Sequence, residues 1–134
     1  MRFEAIIGHE GIGSKLRAGV QSGRVAHAQL FNGPEGSGAL SLALAYARYL
    51  HCQAPSEEDA CGSCVSCKQY NTLQHPDLHW SFPFFKKDSS EQSMSQPFQN
   101  AWRERMLADP YFGLEEWLGA IGADKKQLFI SVQE

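Results

Sequence analysis

No stretch of this chain reaches the ~18 apolar residues that cross a bilayer. The apolar N-terminal stretch from Met1 to Gly8 is too short for a secretory signal peptide. Both absences predict a cytoplasmic protein with no membrane partner. Charge of one sign is scarce as well: Lys and Arg total 12, Asp and Glu total 15, and the net charge is −3. That balance gives no global attraction to nucleic acid or anionic lipid, so any DNA contact would need a local patch or a partner. Internal repeats are missing. So is an apolar run followed by Asp-Glu anywhere after Leu40. That absence excludes a complete nucleotide-hydrolysing core, which needs an acidic strand to position Mg²⁺ and water. The chain therefore reads as the N-terminal part of a larger domain rather than as an unusually small one.

The 134 residues are 43% hydrophobic and 20% charged, which suits one soluble domain with a real core. Residues 33–40 read Gly33-Pro34-Glu35-Gly36-Ser37-Gly38-Ala39-Leu40. Gly33 and Gly38 stand at the spacing of the phosphate-binding pattern G-x-x-x-x-G-K-[ST]. The lysine position holds Ala39 and the hydroxyl position holds Leu40. An intact loop uses the lysine ammonium on the β- and γ-phosphates and the hydroxyl on Mg²⁺. Alanine and leucine do neither, and Glu35 adds negative charge where polyphosphate would lie. Gly33, Gly36 and Gly38 either ring an anion with backbone N–H groups or make a tight strand-to-helix turn without a ligand. The lost lysine favours the bare turn over ATP.

Hydrophobic period predicts a helix over residues 9–22 from Ile12, Leu16 and Val20, ending at Gly23. Residues 28–32 read as a buried parallel strand feeding the loop. Residues 38–51 are alanine- and leucine-rich and predict a buried helix. A further helix is expected at 64–73, a second strand at 78–82 ending at Pro83, and an extended segment at 127–132. Residues 86–97 are polar and predict a mobile loop; Lys86 and Lys87 read as solvated. Two short amphipathic helices follow at 98–108 and 113–121, separated by Asp109-Pro110. Their stripe of Trp102, Met106, Trp117 and Leu118 predicts core or subunit contact. His27 reads as a packed, hydrogen-bonded side chain.

Cys52, Cys61, Cys64 and Cys67 follow the spacing C-x₈-C-x₂-C-x₂-C. A C-x₂-C turn lets two thiolates converge on one ion, and four sulfurs close a tetrahedral shell with no open position. Such a site is structural. In a reducing compartment the cluster favours one Zn²⁺ over disulfides. Free thiols and an iron–sulfur cluster are the alternatives; a colourless protein would exclude the latter. The polar span 53–60 would otherwise lack order, and metal would supply it. His51, His75 and His79 lie nearby in sequence and read as structural rather than as ligands.

Loop and cysteines together point to a family. The chain resembles the clamp-loader subunits of bacterial DNA polymerase III, a branch of the AAA+ ATPases. The resemblance is carried by Ile7-Gly8-His9-Glu10, by Arg24-Val25-Ala26-His27-Ala28-Gln29-Leu30-Phe31-Asn32-Gly33-Pro34, by the cysteine module directly after the loop's helix, and by His75-Pro76-Asp77-Leu78. It is good over about residues 5–82, and Ile130-Ser131-Val132-Gln133-Glu134 is similar to a helix lead-in. It implies an α/β fold: an AAA+-type parallel sheet with flanking helices and an inserted Cys₄ zinc module at 52–67. A polar loop and helical insertion would occupy about 83–126. Motor subunits of this family (gamma/tau) keep the loop lysine and threonine, whereas the delta-prime type often does not. Ala39 and Leu40 therefore align the chain with delta-prime. By resemblance it would not be catalytic itself and would belong to a DNA polymerase holoenzyme; its degenerate loop would bind ATP far more weakly than an intact one, or not at all. Its partners would be gamma/tau and delta and, indirectly, the sliding clamp and primed DNA. A diverged ATP-binding motor subunit and a stand-alone zinc-binding adaptor are the alternatives.

Overall fold

The computed structural model describes residues 1–85, 95–123 and 126–130. It divides into two compact units, Met1–His75 and Pro76–Glu134. The N-terminal unit holds a 3₁₀ turn at Phe3–Ala5 and three helices: α1 (Glu10–Gln21), α2 (Ala39–His51) and α3 (Val65–Asn71).

Helix α2 is the centre of this unit. It has no internal Gly or Pro, and Arg48 and His51 sit in its last turn, where positive charge complements the helix dipole. Leu42, Ala45, Tyr46 and Tyr49 recur at helical spacing and form one stripe. That stripe is buried with Phe3, Cys52, Ala60 and Cys67 in a single cluster. Two of the four cysteines are thus core residues. Leu16 and Val20 of α1 pack on the same cluster. Gly13 completes the α1 face, because a Cβ there would meet the Phe3 ring at 3.3 Å. Ile12, expected on the inner face, is 50% exposed. The inward register of α1 is Gly13, Leu16, Val20, one step round from the reading that included Ile12.

The C-terminal unit holds a 3₁₀ turn at Gln96–Phe98, α4 (Gln99–Ala108) and α5 (Leu114–Ile121). Helix α5 starts where Glu116 accepts the Gly113 N–H at 2.7 Å and stops at Gly122, whose φ of +68° suits glycine. The core here is aromatic. Phe82 stacks on Trp102 at 4.6 Å between centroids and meets Trp117 edge-on at 5.4 Å. Met106 and Trp117 are buried as expected, while Leu107 is 55% exposed.

The expected parallel sheet is not seen. Among the described residues there is no strand, only one antiparallel bridge, Phe84 to Phe129. Residues 28–32 run without regular structure, and Leu30 is 90% exposed. A strand exists only as a pair, and a buried parallel strand needs neighbours on both edges. No described segment supplies them. Residues 80–84 keep the alternation of a strand, with Ser81 exposed and Phe82 and Phe84 buried, but have a single backbone partner. His27, read as packed, is exposed. Lys86, Lys87 and most of the predicted loop at 86–97 lie outside the described residues, as do residues 131–134 of the final segment and of the helix lead-in.

Candidate metal centre

Cys52 caps the C-terminus of α2, and Cys64 caps the N-terminus of α3. Cys61 lies in the loop between them, and Cys67 on the first turn of α3. The helix pair therefore delivers all four thiols to one point, with their sulfurs within 4.8 Å of one another. Cys61 Sγ and Cys67 Sγ are 4.0 Å apart. Tetrahedral bonds of about 2.3 Å place sulfurs roughly 3.8 Å apart, whereas a disulfide requires ~2.05 Å. All four thiols are free. The donor set fits one tetrahedral metal ion and is compatible with Zn²⁺.

Backbone N–H groups orient the sulfurs. The Cys61 N–H donates to Cys52 Sγ at 3.2 Å, the Cys64 N–H to Cys61 Sγ at 3.4 Å, and the Cys67 N–H to Cys64 Sγ at 3.4 Å. These bonds favour thiolates. The Cys64 and Ser63 N–H groups pull the Cys61 thiol down to about 6. Bonds from Gln53 and Cys67 lower Cys64. Burial instead pushes Cys52 up to about 12. In the metal-free protein near neutral pH, Cys61 is therefore ionised and Cys52 is protonated. Metal binding takes a proton from Cys52 throughout this range, but from Cys61 only below about pH 6. Zinc affinity is expected to fall more steeply with acidity below pH 6 than above it. Calorimetry in buffers of different ionisation enthalpy counts the protons; an unchanged count across that pH would contradict the assignment.

The loop from 53 to 60, expected to be loose, is tied on three sides. Tyr49 Oη donates to Ser56 O at 2.6 Å, Gln21 Nε2 donates to Glu57 O at 3.3 Å, and Arg17 Nε donates to the same Glu57 O at 3.2 Å. His51 and His75 are not in the thiolate shell. The His51 Nδ1 pairs with Tyr70 Oη at 2.7 Å, and the His75 ring lies 4.6 Å from the His51 ring. This aromatic group joins the ends of α2 and α3 beside the first and last cysteines. His79 is exposed.

The glycine loop precedes α2. Gly36 and Gly38 have φ of +76° and +84°, conformations that disfavour a Cβ. A Cβ on Gly33 would collide with Ser37 Oγ. Ala39 and Leu40 begin the helix, half-buried. A cleft of about 260 Å³ beside the loop is lined by His9, Leu30, Phe31, Pro34, Ala39 and Leu42, among others. His9, unremarked as a single residue in the sequence, holds the loop: its Nε2 lies 2.6 Å from Ser37 O, and its φ is +61°. The Gly8-His9 pair ahead of a helix was the available signal, but the partner lies 28 residues away.

A glycine turn feeds a buried helix, and at the far end of that helix four thiols converge closely enough to bind one metal ion. The chain belongs to the family described as DNA polymerase III, delta subunit, whose model matches residues 8–109. It is 34% identical over 67 residues to DNA polymerase III subunit tau of Bacillus subtilis, covering 50% of this chain and 12% of that protein. It is 38% identical over 79 residues to Protein STICHEL-like 1 of Arabidopsis thaliana, covering 58% and 7%. It is 38% identical over 65 residues to DNA polymerase III subunit gamma/tau of Mycobacterium bovis, covering 48% and 11%. The matched span is thus a small part of these relatives. No solved structure matches the chain. No helix among the described residues is long and apolar enough to cross a membrane.

Proposed function

We propose that the chain is the N-terminal part of a non-hydrolysing, delta-prime-type subunit of a clamp loader, which helps place the sliding clamp on primed DNA during replication. On this reading it works in the cytoplasm with gamma/tau and delta subunits, and residues 83–126 are an insertion in an AAA+-like domain. The observation that carries the reading is Ala39-Leu40 at the positions where a working loop needs lysine and a hydroxyl. Gly33, Gly36 and Gly38 then serve as a turn rather than a phosphate cradle. Cys52, Cys61, Cys64 and Cys67 hold one structural Zn²⁺, which when bound cross-links α2 to α3 and supplies no chemistry to a substrate.

One observation favours a motor-type subunit instead: tau and gamma/tau subunits are among the relatives the chain matches. Nucleotide binding separates the two readings. Titration with labelled ATP and Mg²⁺ is expected to give a Kd weaker than about 1 mM. The double variant Ala39→Lys, Leu40→Thr should be required before binding appears. Tight, Mg²⁺-dependent binding by the unaltered protein would establish the motor reading.

A further inference from the structure

Asp59 is 5% exposed, and its carboxylate is not one of the four donors. Both of its oxygens are engaged. Oδ1 accepts the N–H of Ala60, the residue before Cys61, at 2.7 Å. Oδ2 accepts the N–H of Glu4 at 2.9 Å and lies 3.7 Å from Arg2 Nε. The backbone of Asp59 is fixed from the other side by Ser56. Ser56 donates its N–H and its hydroxyl to Asp59 O, at 2.9 and 3.0 Å, and its oxygen accepts the Asp59 N–H at 3.0 Å. One buried carboxylate thus joins the peptide leading into a thiolate to the 3₁₀ turn at Phe3–Ala5.

This position requires two acceptor oxygens. An asparagine would have to turn its NH₂ toward either the Ala60 or the Glu4 N–H, leaving a buried donor facing a donor. Fixing Ala60 also fixes the approach of Cys61, whose N–H donates to Cys52 Sγ at 3.2 Å. The carboxylate therefore acts on the pair of thiols separated by the longest gap in the cluster.

We propose that Asp59 is a positioning residue of the metal centre and couples metal occupancy to docking of the Arg2–Glu4 segment. This rests on the Cys₄ reading and deepens it. A metal that holds Cys61 holds Ala60 and Asp59 in place, and so presents the acceptor for Glu4. A docked Arg2–Glu4 segment in turn pre-organises the site, since coupling of this kind is reciprocal.

Zinc affinity, measured by chelator competition, and amide exchange of Glu4 with and without zinc test this together. Asp59→Asn is expected to lower zinc affinity about 10- to 100-fold, the range seen for groups that orient metal ligands. Glu58→Gln, an exposed neighbour, should leave it unchanged. Arg2→Ala, far from the cysteines in sequence, should weaken zinc about two- to fivefold. Zinc should slow exchange of the Glu4 amide in the unaltered protein and not in Asp59→Asn. If the unaltered protein binds no zinc, the metal centre itself is refuted. If it binds zinc but Asp59→Asn binds equally well, or Glu4 exchange ignores zinc, the coupling is refuted. Should Asp59→Asn not fold, Arg2→Ala decides: unchanged affinity there overturns the proposal.

Discussion

Purified protein is expected to carry about one equivalent of zinc, and Cys67→Ser to carry essentially none. Cys67 is fully buried and belongs to the same cluster as Tyr49, Phe3 and Ala60. Its loss removes a ligand and leaves a small polar group among apolar neighbours. Without metal, burial opposes ionisation of Cys52, and no metal–sulfur bond cross-links the end of α2 to α3. Isolated zinc modules owe roughly 10–16 kcal/mol to their metal at neutral pH. The effect here is smaller, because the ties from Tyr49, Gln21 and Arg17 order the loop without metal. A fall in Tm on the order of 10–20 °C corresponds to ~2–4 kcal/mol for a unit of this size. Amide exchange should show residues 52–70 losing protection before α1 and most of α2. Less than half an equivalent of zinc in carefully prepared protein would count heavily against the assignment.

Trp117→Ala is expected to unfold the C-terminal unit. Trp117 is 1% exposed, meets Trp102 edge-on at 4.9 Å and Phe82 at 5.4 Å, and donates its Nε1–H to Pro83 O at 2.6 Å. Truncating a buried tryptophan costs about 3–5 kcal/mol, and the Pro83 carbonyl also loses its donor. A unit of this length has a total stability of only ~3–9 kcal/mol. Trp117→Phe keeps a ring in the cluster and forfeits the hydrogen bond, so it should cost about 1–2 kcal/mol. Urea titration distinguishes the two. Equal, small shifts for both variants would show that Trp117 is not the keystone of that core.

The parts legible in the sequence are those that local spacing determines. The run Leu42, Ala45, Tyr46, Tyr49 recurs at the helical period, and α2 forms there. The C-x₂-C steps keep Cys61, Cys64 and Cys67 close along the chain, and their sulfurs converge with that of Cys52. Strand pairing is a relation between distant segments. The apolar run at 28–32 therefore predicted a strand that the described residues do not pair. Ile12 and Gly13 show a finer limit. The period of α1 was readable, but which side of it faced Phe3 depended on a close approach that only a glycine permits. Asp59 and His9 were invisible for the same reason. A carboxylate in a polar loop reads as solvated until Glu4 and Arg2, distant in the sequence, close round it.

The division of the chain at His75 also sorts its natural probes. All four cysteines lie in the N-terminal unit, and Trp80, Trp102 and Trp117, the three tryptophans of the chain, lie in the other. Cobalt substituted at the thiolate centre would report, by its visible absorption, on the N-terminal unit alone. Intrinsic tryptophan emission would report on the C-terminal unit alone. A single sample without any added label therefore reads out two melting curves, and their coincidence or separation measures how cooperatively the two halves of the molecule unfold.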